Sequence, residues 1–327
     1  ARIGGNIGTG VLDLAPLHAN ATYVLELSSY QLDLVKSLHC DVAVLLNITP
    51  DHLDRHGGMD GYQAAKMRIF QNQTEKDVAI IGFDDVITQS IAIGLSANGP
   101  ARVVQASSTY ALGRGVSAVD GRLYDSNSGQ AQFVGNLSDC MALPGRHNHQ
   151  NAAAAYAACR ALGLDPQTIM DGIRTFPGLA HRLEMVGEID GVKFVNDSKA
   201  TNAEAAEQAL KAYKKAYWIA GGVSKAEGIQ PLAPLFPNIT KAYLIGDSEE
   251  TFAATLKGKV ALQTCGTLEN AVQAAFRDAK VVGDENPVIL LSPACASFDQ
   301  FRDFEHRGDV FRSIVQSMMP QELKELA

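Results

Sequence analysis

The sequence offers no cysteine framework. Its five cysteines (Cys40, Cys140, Cys159, Cys265, Cys295) are odd in number, scattered, and lack CxxC spacing. They provide no metal-binding skeleton and suit a reducing compartment. A basic excess is also missing. The 28 Lys and Arg stand against 36 Asp and Glu, a net charge of −8, which argues against a nucleic-acid partner. An acidic chain still binds an anion where its positive groups are local, so a phosphate substrate stays open. No apolar run approaches the roughly 18 residues of a membrane span. Nor is a signal peptide read: Ala1-Arg2-Ile3-Gly4-Gly5 runs straight into glycine-rich sequence, and without an initial Met it reads as a fragment of something longer.

What is present is ordinary for a cored protein. The 327 residues predict two or three domains, with 46% hydrophobic and 20% charged residues. The clearest break, Phe176-Pro177-Gly178-Leu179-Ala180, sets a domain boundary, giving 1–178 and 179–327.

The first part reads as strands feeding polar turns. Gly4 to Gly10 is expected to be a loop. Its glycines run in the reverse of the dinucleotide-binding order and no strand is seen before them, so that reading is weak. Asn6 can offer its amide to a ligand. Thr22 to Leu27 reads as a strand carrying Glu26 near its end, turning at Ser28-Ser29-Tyr30-Gln31 into a helix. Asp41 to Leu46 is a continuous apolar run, the mark of a strand covered on both faces. It leads to Asn47-Ile48-Thr49-Pro50-Asp51-His52-Leu53-Asp54-Arg55-His56. His52 and His56 have zinc-like spacing, but Leu53 stands where the zinc-protease pattern needs Glu. Glu26 and one His suit an oxygen-rich Mg²⁺ site only in part.

A helix is predicted over 61–70, with Lys66 beside its apolar face, where it either snorkels or does chemistry. Val78 to Ile81 is a third strand. Short strands from 102 to 134, with a hairpin at Asp120-Gly121, look like a small antiparallel appendage. Asn148 and Asn151 precede an Ala-rich helix over 152–162. They either cap it or face a nucleobase. A helix over 166–176 closes this part.

The second part alternates strand and helix, which implies a doubly wound, mostly parallel sheet. Strands are predicted at 183–189, 192–195, 217–220, 242–245 and 287–291, and helices at 203–212, 249–256, 268–279 and after Phe304. Val195-Asn196-Asp197-Ser198-Lys199-Ala200-Thr201-Asn202 is the organising stretch. It joins a buried strand to a helix N-terminus, where free N–H groups and partial positive charge sit. Lys199 adds a full charge, and Thr201 or Asn202 can cap. The polar loops all fall at strand C-termini, where α/β sheets bind ligands.

These stretches together resemble the Mur ligases. The carrying motifs are GGNIG at Gly4, LELSSYQL at Leu25, LNITPDHLDRH at Leu46, AAKMRIF at Ala64, GRHNHQNAAAA at Gly145, FPGLAHRLE at Phe176, VNDSKATN at Val195 and LSPACASFDQF at Leu291. They cover nearly the whole chain in family order. The last motif points to the branch that uses D-glutamate.

The resemblance implies an α/β protein: a central ATPase domain with a mostly parallel sheet, incomplete at its N-terminus, then a Rossmann-like C-terminal domain binding the amino acid. It implies a cytoplasmic, monomeric ligase of peptidoglycan precursor synthesis. Such an enzyme takes ATP, Mg²⁺, UDP-N-acetylmuramoyl-L-alanine and D-glutamate, and makes an amide through an acyl phosphate. It assigns Glu26 and His52 to Mg²⁺, with Lys66 as a third ligand once carbamylated. Asn148 and Asn151 fall to adenine, Arg182 and Asp197 to the rest of the nucleotide. Lys199, Thr201, Lys225, Ser297 and Phe304 fall to D-glutamate; Asn6, Ser28 and Gln31 lie near the muramoyl-peptide.

The family's phosphate loop, G-x-x-x-x-G-K-S/T, is not found in these residues, nor is its uridine-binding N-terminal domain. An unpaired gap is therefore expected in the first sheet, and weak or no activity from this stretch alone. The competing expectations are a folylpolyglutamate-type ligase and a non-catalytic ligase-like module.

Overall fold

A computed structural model describes the chain except for residues 17, 19, 20, 141, 283–285 and 320–327. It divides into two compact units, one of Ala1–Asn136 with His149–Asp171, the other of Leu137–Asn148 with Gly172–Ala327.

The first unit opens with a correction. Arg2–Gly5 is a strand, β1, not loop, and it pairs in parallel with β2 (Tyr23–Glu26). Its short length and two glycines hid it, because β-propensity reads them as breakers. Gly5 is required there. Its φ is +111°, and a Cβ would lie 2.2 Å from the Glu26 carbonyl. After β2 comes α1 (Ser29–Leu34), closed by a capping box in which Gln31 N–H donates to Ser28 Oγ at 3.3 Å and Ser28 N–H donates to Gln31 Oε1 at 2.9 Å.

Next come β3 (Val42–Leu45), the one-turn α2 (Leu53–His56), α3 (Met59–Met67), β4 (Val78–Gly82), α4 (Val86–Asn98), β5 (Arg102–Ser107), β6 (Val116–Val119), β7 (Arg122–Asp125) and β8 (Gln132–Asn136). Strands β3 to β8 form one six-stranded sheet in chain order, parallel through β6 and antiparallel beyond. The antiparallel strands thus extend the main sheet. Among the described residues the two-stranded β1–β2 sheet stands apart from it, and β3 is its edge. Ala43, Leu45, Ala79 and Ile81 pack against Tyr62 and Phe70 to build a core.

The Ala-rich helix α5 (Arg146–Ala161) starts earlier than the pattern suggests, so Asn148 and Asn151 lie within it rather than before it. Pro144 and Gly145, with φ +87° at the glycine, are the real stop before it. α6 spans Pro166–Arg174.

In the second unit β9 (Glu184–Ile189) and β10 (Val192–Asn196) form the expected hairpin, with positive φ at Asp190 and Gly191. Then come α7 (Ala203–Ala212), β11 (Ala216–Gly221), β12 (Ile239–Ile245), α8 (Glu249–Leu256), β13 (Ala261–Gly266), α9 (Leu268–Val282), β14 (Val288–Leu291) and α10 (Phe304–Met318). The sheet order is β13-β12-β11-β14-β10-β9, parallel except for β9. β13 is absent from the sequence reading. It is a half-exposed edge strand with no continuous apolar run.

Strand alternation builds a core on each face. Along β11, Trp218 and Ala220 join Leu210, Phe236 and Phe252 on one side. Tyr217 and Ile219 join Phe194, Ala275 and Phe311 on the other. All of these side chains are buried, and each large one stabilises the fold by about 1.5–3 kcal/mol.

Candidate functional site

In the first unit the candidate residues gather where β2 and β3 end. The two strands of the β1–β2 sheet hold Asn6 against Glu26. Asn6 N–H donates to the Glu26 carbonyl at 2.7 Å, and Asn6 Nδ2 donates to Glu26 Oε1 at 3.2 Å. Ser28 and Gln31 spend most of their polar groups on each other in the capping box.

His52 stands at the start of α2 with φ +51°, a left-handed backbone that His adopts more readily than most residues. Its N–H donates to Asp51 Oδ1 at 2.9 Å, and its Nε2 lies 3.4 Å from Asp51 Oδ2. Tyr30 of α1 meets the His52 ring edge-on at 5.0 Å.

Lys66 lies on α3, half-buried, with Nζ 5.4 Å from the Tyr62 ring centre. Burial pulls its pKa down, while the negative charges of Asp51 and Glu26 oppose that shift. The amine therefore sits in the field of two carboxylates that come from different strand ends. Asp51 was not singled out from sequence; its place between Pro50 and His52 was the available signal.

The donor chemistry fits a hard cation. Glu26 and Asp51 are exposed carboxylates near one side chain. Mg²⁺ takes one or two such groups, completing its shell with water and phosphate. Among the described residues the one close group of three metal-type ligands is elsewhere: His39, Asp41 and Asp77, before β3 and β4. There Asp77 Oδ2 already accepts from Thr74 N–H at 2.6 Å and pairs with His39 Nε2 at 2.8 Å, which ties the strand starts together. Of the adenine candidates, Asn148 donates through Nδ2 to the Pro144 carbonyl at 2.8 Å, and Asn151 lies one turn further along α5.

In the second unit the polar loops collect at the C-terminal ends of β10, β11 and β14. Asp197 is 5% exposed. Its Oδ1 accepts from Leu183 N–H at 3.2 Å and its Oδ2 from the Ser292 hydroxyl at 2.7 Å. Burial pushes its pKa up to about 7, against the pull of those bonds and of the Arg182 charge. Arg182 itself is exposed.

Lys199 and Phe304 are brought together, with Nζ 5.1 Å from the ring centre. Ser297 is buried. Its carbonyl accepts from Phe301 N–H at 2.8 Å. Thr201 leaves the cap of α7 to Asn202, whose side chain accepts from Ala205 N–H at 2.8 Å. Lys225 lines a cavity of about 250 Å³ with Asn202, Glu204, Glu207 and Glu227. Lys199, Thr201, Ser297 and Phe304 are not among its lining residues.

Two residues that sequence reasoning missed hold these loops. His181 is buried with φ +61°. Its Nδ1 is 3.1 Å from Asn196 Nδ2, and its ring meets Phe304 edge-on at 6.2 Å. Arg307 is buried on α10 and donates to Ser198 and Cys295. The main chains of Val223 and Ala296 bond reciprocally at 2.9 and 3.0 Å, joining the loops after β11 and β14.

Two α/β units with mostly parallel sheets, each presenting charged groups at strand C-termini, define a class of proteins that bind ligands along that edge. Comparison with known proteins narrows the class. Residues 11–159 match the model of the Mur ligase middle domain, and residues 181–295 that of the Mur ligase glutamate ligase domain. The chain belongs to the Mur ligase family.

A protein named UDP-N-acetylmuramoylalanine--D-glutamate ligase in Caulobacter vibrioides is 58% identical over 97% of this chain and 67% of its own length. One of the same name in Rhodospirillum rubrum is 55% identical over 97% of this chain and 66% of its own length. The chain thus spans about two thirds of these relatives.

Solved structures agree in fold. MurF from Acinetobacter baumannii matches with a TM-score of 0.62 and 20% identity, over 92% of this chain and 66% of that one. FolC from E. coli, in complex with ADP, matches with a TM-score of 0.55 and 23% identity, over 85% and 62%. No helix among the described residues is long and apolar enough to cross a membrane.

Proposed function

We propose that this chain is part of a ligase that adds D-glutamate to UDP-N-acetylmuramoyl-L-alanine at the cost of ATP, in the cytoplasm and as a monomer, and that this stretch alone has weak or no activity. The observation that carries the reading is the 58% identity, over 97% of the chain, to a relative named for that reaction. The expected boundary after Gly178 then separates an ATP-binding from an amino-acid-binding domain.

ATP transfers its terminal phosphoryl group to the alanyl carboxylate. The D-glutamate amine attacks the resulting acyl phosphate, and the tetrahedral adduct expels phosphate to leave the amide. Little covalent work falls to the protein. Its task is to align charged reactants and neutralise the charge that develops.

Glu26, His52 and a carbamylated Lys66 would hold Mg²⁺, which supplies charge neutralisation at the transferring phosphate. The lowered pKa of Lys66 supports this, because only the neutral amine takes up carbon dioxide. Asn148 and Asn151 have amides suited to a base edge, and Arg182 and Asp197 serve the ribose and phosphates. Lys199, Lys225, Thr201 and Ser297 offer cations and hydroxyls to the two carboxylates of D-glutamate, with Phe304 as an apolar wall. Asn6, Ser28 and Gln31 flank the muramoyl-peptide.

The test is ATP-dependent phosphate release by the complete gene product, given the muramoyl-alanine nucleotide and a panel of amino acids. Release with D-glutamate alone is expected. Release with another amino acid would overturn the assignment of Lys225, Ser297 and Phe304. No release with any would overturn the reaction.

A further inference from the structure

Helix α2 has only four residues, Leu53–His56. A single turn this short does not hold itself. His52, which opens it, is left-handed, a conformation costing a residue with a side chain about 1 kcal/mol or more. The orientation of its imidazole must therefore be imposed from outside α2.

Helix α1 supplies the restraint. The Tyr30 ring meets His52 edge-on, with centroids 5.0 Å apart and planes at 77°. The same ring meets His56 edge-on at 5.7 Å and 67°. The guanidinium of Arg55 lies 5.6 Å from the centre of that ring, and Arg55 is paired with Asp33 of α1 at 3.0 Å. The buried Ser29 hydroxyl lies 3.0 Å from His56 Nε2. His56 in turn packs at 5.6 Å on Tyr62, whose ring carries Lys66 Nζ at 5.4 Å. Ring contacts thus lead from His52 through Tyr30 and His56 to Tyr62, beside which Lys66 Nζ lies.

Among the described residues, the His52 ring meets Tyr30 and the exposed carboxylate of Asp51. Edge-to-face aromatic pairs are directional and contribute about 0.5–1.5 kcal/mol beyond their buried area. An exposed polar contact of this kind at 3.4 Å contributes about 1 kcal/mol at most and sets orientation poorly. Tyr30 is the stronger guide.

We propose that Tyr30 is a positioning residue for His52: its ring fixes the imidazole so that the nitrogen reaches the metal–phosphate end of the site. Tyr30 does not itself touch the reacting atoms. The inference rests on the reading of His52 as a group at that end.

The experiment is a double-mutant cycle on the complete gene product, with ATP present and Mn²⁺ as the probe, followed by water-proton relaxation. Its four proteins are wild type, Tyr30→Leu, His52→Ala and the double variant. Tyr30→Leu should weaken Mn²⁺ binding about tenfold, the usual effect of losing a group that orients a metal ligand. It should lower kcat while leaving KM for D-glutamate within about twofold. In the His52→Ala background it should add nothing, because the residue it acts through is gone. Tyr30→Phe, which keeps the ring, should restore wild-type Mn²⁺ affinity.

Equal weakening by Tyr30→Leu with and without His52 would mean that Tyr30 only packs helices, and would overturn the proposal. So would wild-type affinity in Tyr30→Leu beside weakened His52→Ala, with the role of His52 left standing. Unchanged Mn²⁺ affinity in His52→Ala would overturn the reading of His52 and the proposal with it.

Discussion

Arg307 donates through Nη2 to the Ser198 carbonyl at 2.8 Å and through Nε to the Ser198 hydroxyl at 2.9 Å. Its Nη1 donates to the Cys295 carbonyl at 3.0 Å. The side chain is 1% exposed, and burial lowers its pKa to about 10. A guanidinium is stable there because each of its three nitrogens donates to an oxygen of these two loops. The loops are those that carry Lys199 and Ser297. Arg307→Met should leave the carbonyls without partners and cost about 3 kcal/mol of stability. Urea unfolding followed by Trp218 fluorescence measures this in the second unit, since Trp218 is the sole tryptophan and is buried in β11. An unchanged midpoint would show that the bonds contribute nothing net.

Asp197 should make the stability of the second unit depend on pH. Its folded-state pKa is about 7 and burial is the main cause; in an unfolded chain it is about 4. Between those values the folded protein holds a proton that the unfolded chain has released. Stability from this group therefore falls as pH rises through the window and is level above it. Asp197→Asn carries no such proton. Its urea midpoint, relative to wild type, should rise from pH 4 to pH 8. A constant difference across that range would contradict the shifted pKa.

Gly61 and Gly172 should respond oppositely to alanine. Both lie in helices, where alanine is normally favoured by about 1 kcal/mol. A Cβ on Gly61 would sit 1.9 Å from the His56 carbonyl, whereas one on Gly172 would meet nothing within 4 Å. Gly61→Ala should destabilise by about 1–3 kcal/mol, and it should disturb the junction of α2 with α3. Gly172→Ala should stabilise by about 0.5–1 kcal/mol. Thermal unfolding of the two variants checks the pair, and a gain for Gly61→Ala would refute the close approach.

Lys66→Ala separates chemistry from packing. If a carbamylated Lys66 supplies an oxygen ligand, the variant should lose activity and recover part of it with added acetate or formate. The assay is phosphate release with D-glutamate. Normal activity without additive would make Lys66 a packing residue against Tyr62.

The sequence by itself determined most of the elements and their order. Continuous apolar runs marked β3, β4, β11 and β14. Asp190-Gly191 marked a hairpin, and the VNDSKATN stretch marked the junction ahead of α7. Local signals suffice there because backbone preference and side-chain period act within a few residues. β1, β13, α2 and α4 escaped: a short glycine-bearing strand, a half-exposed edge strand and a single helical turn carry no period of their own, and the apolar residues of α4 are not confined to one stripe. The tertiary structure alone decided which side chains meet. Asp51 and Glu26 both act on the charge of Lys66, Tyr30 reaches His52, and Arg307 goes inside to bind Ser198 and Cys295, more than 100 positions away in the first case. A charged residue on a helix reads as surface until a loop from another strand brings carbonyls to it. The physical reason is that a parallel sheet brings the C-terminal ends of its strands to one edge. Residues far apart in the chain become neighbours there, and their burial and pKa values follow from that company rather than from their own identity.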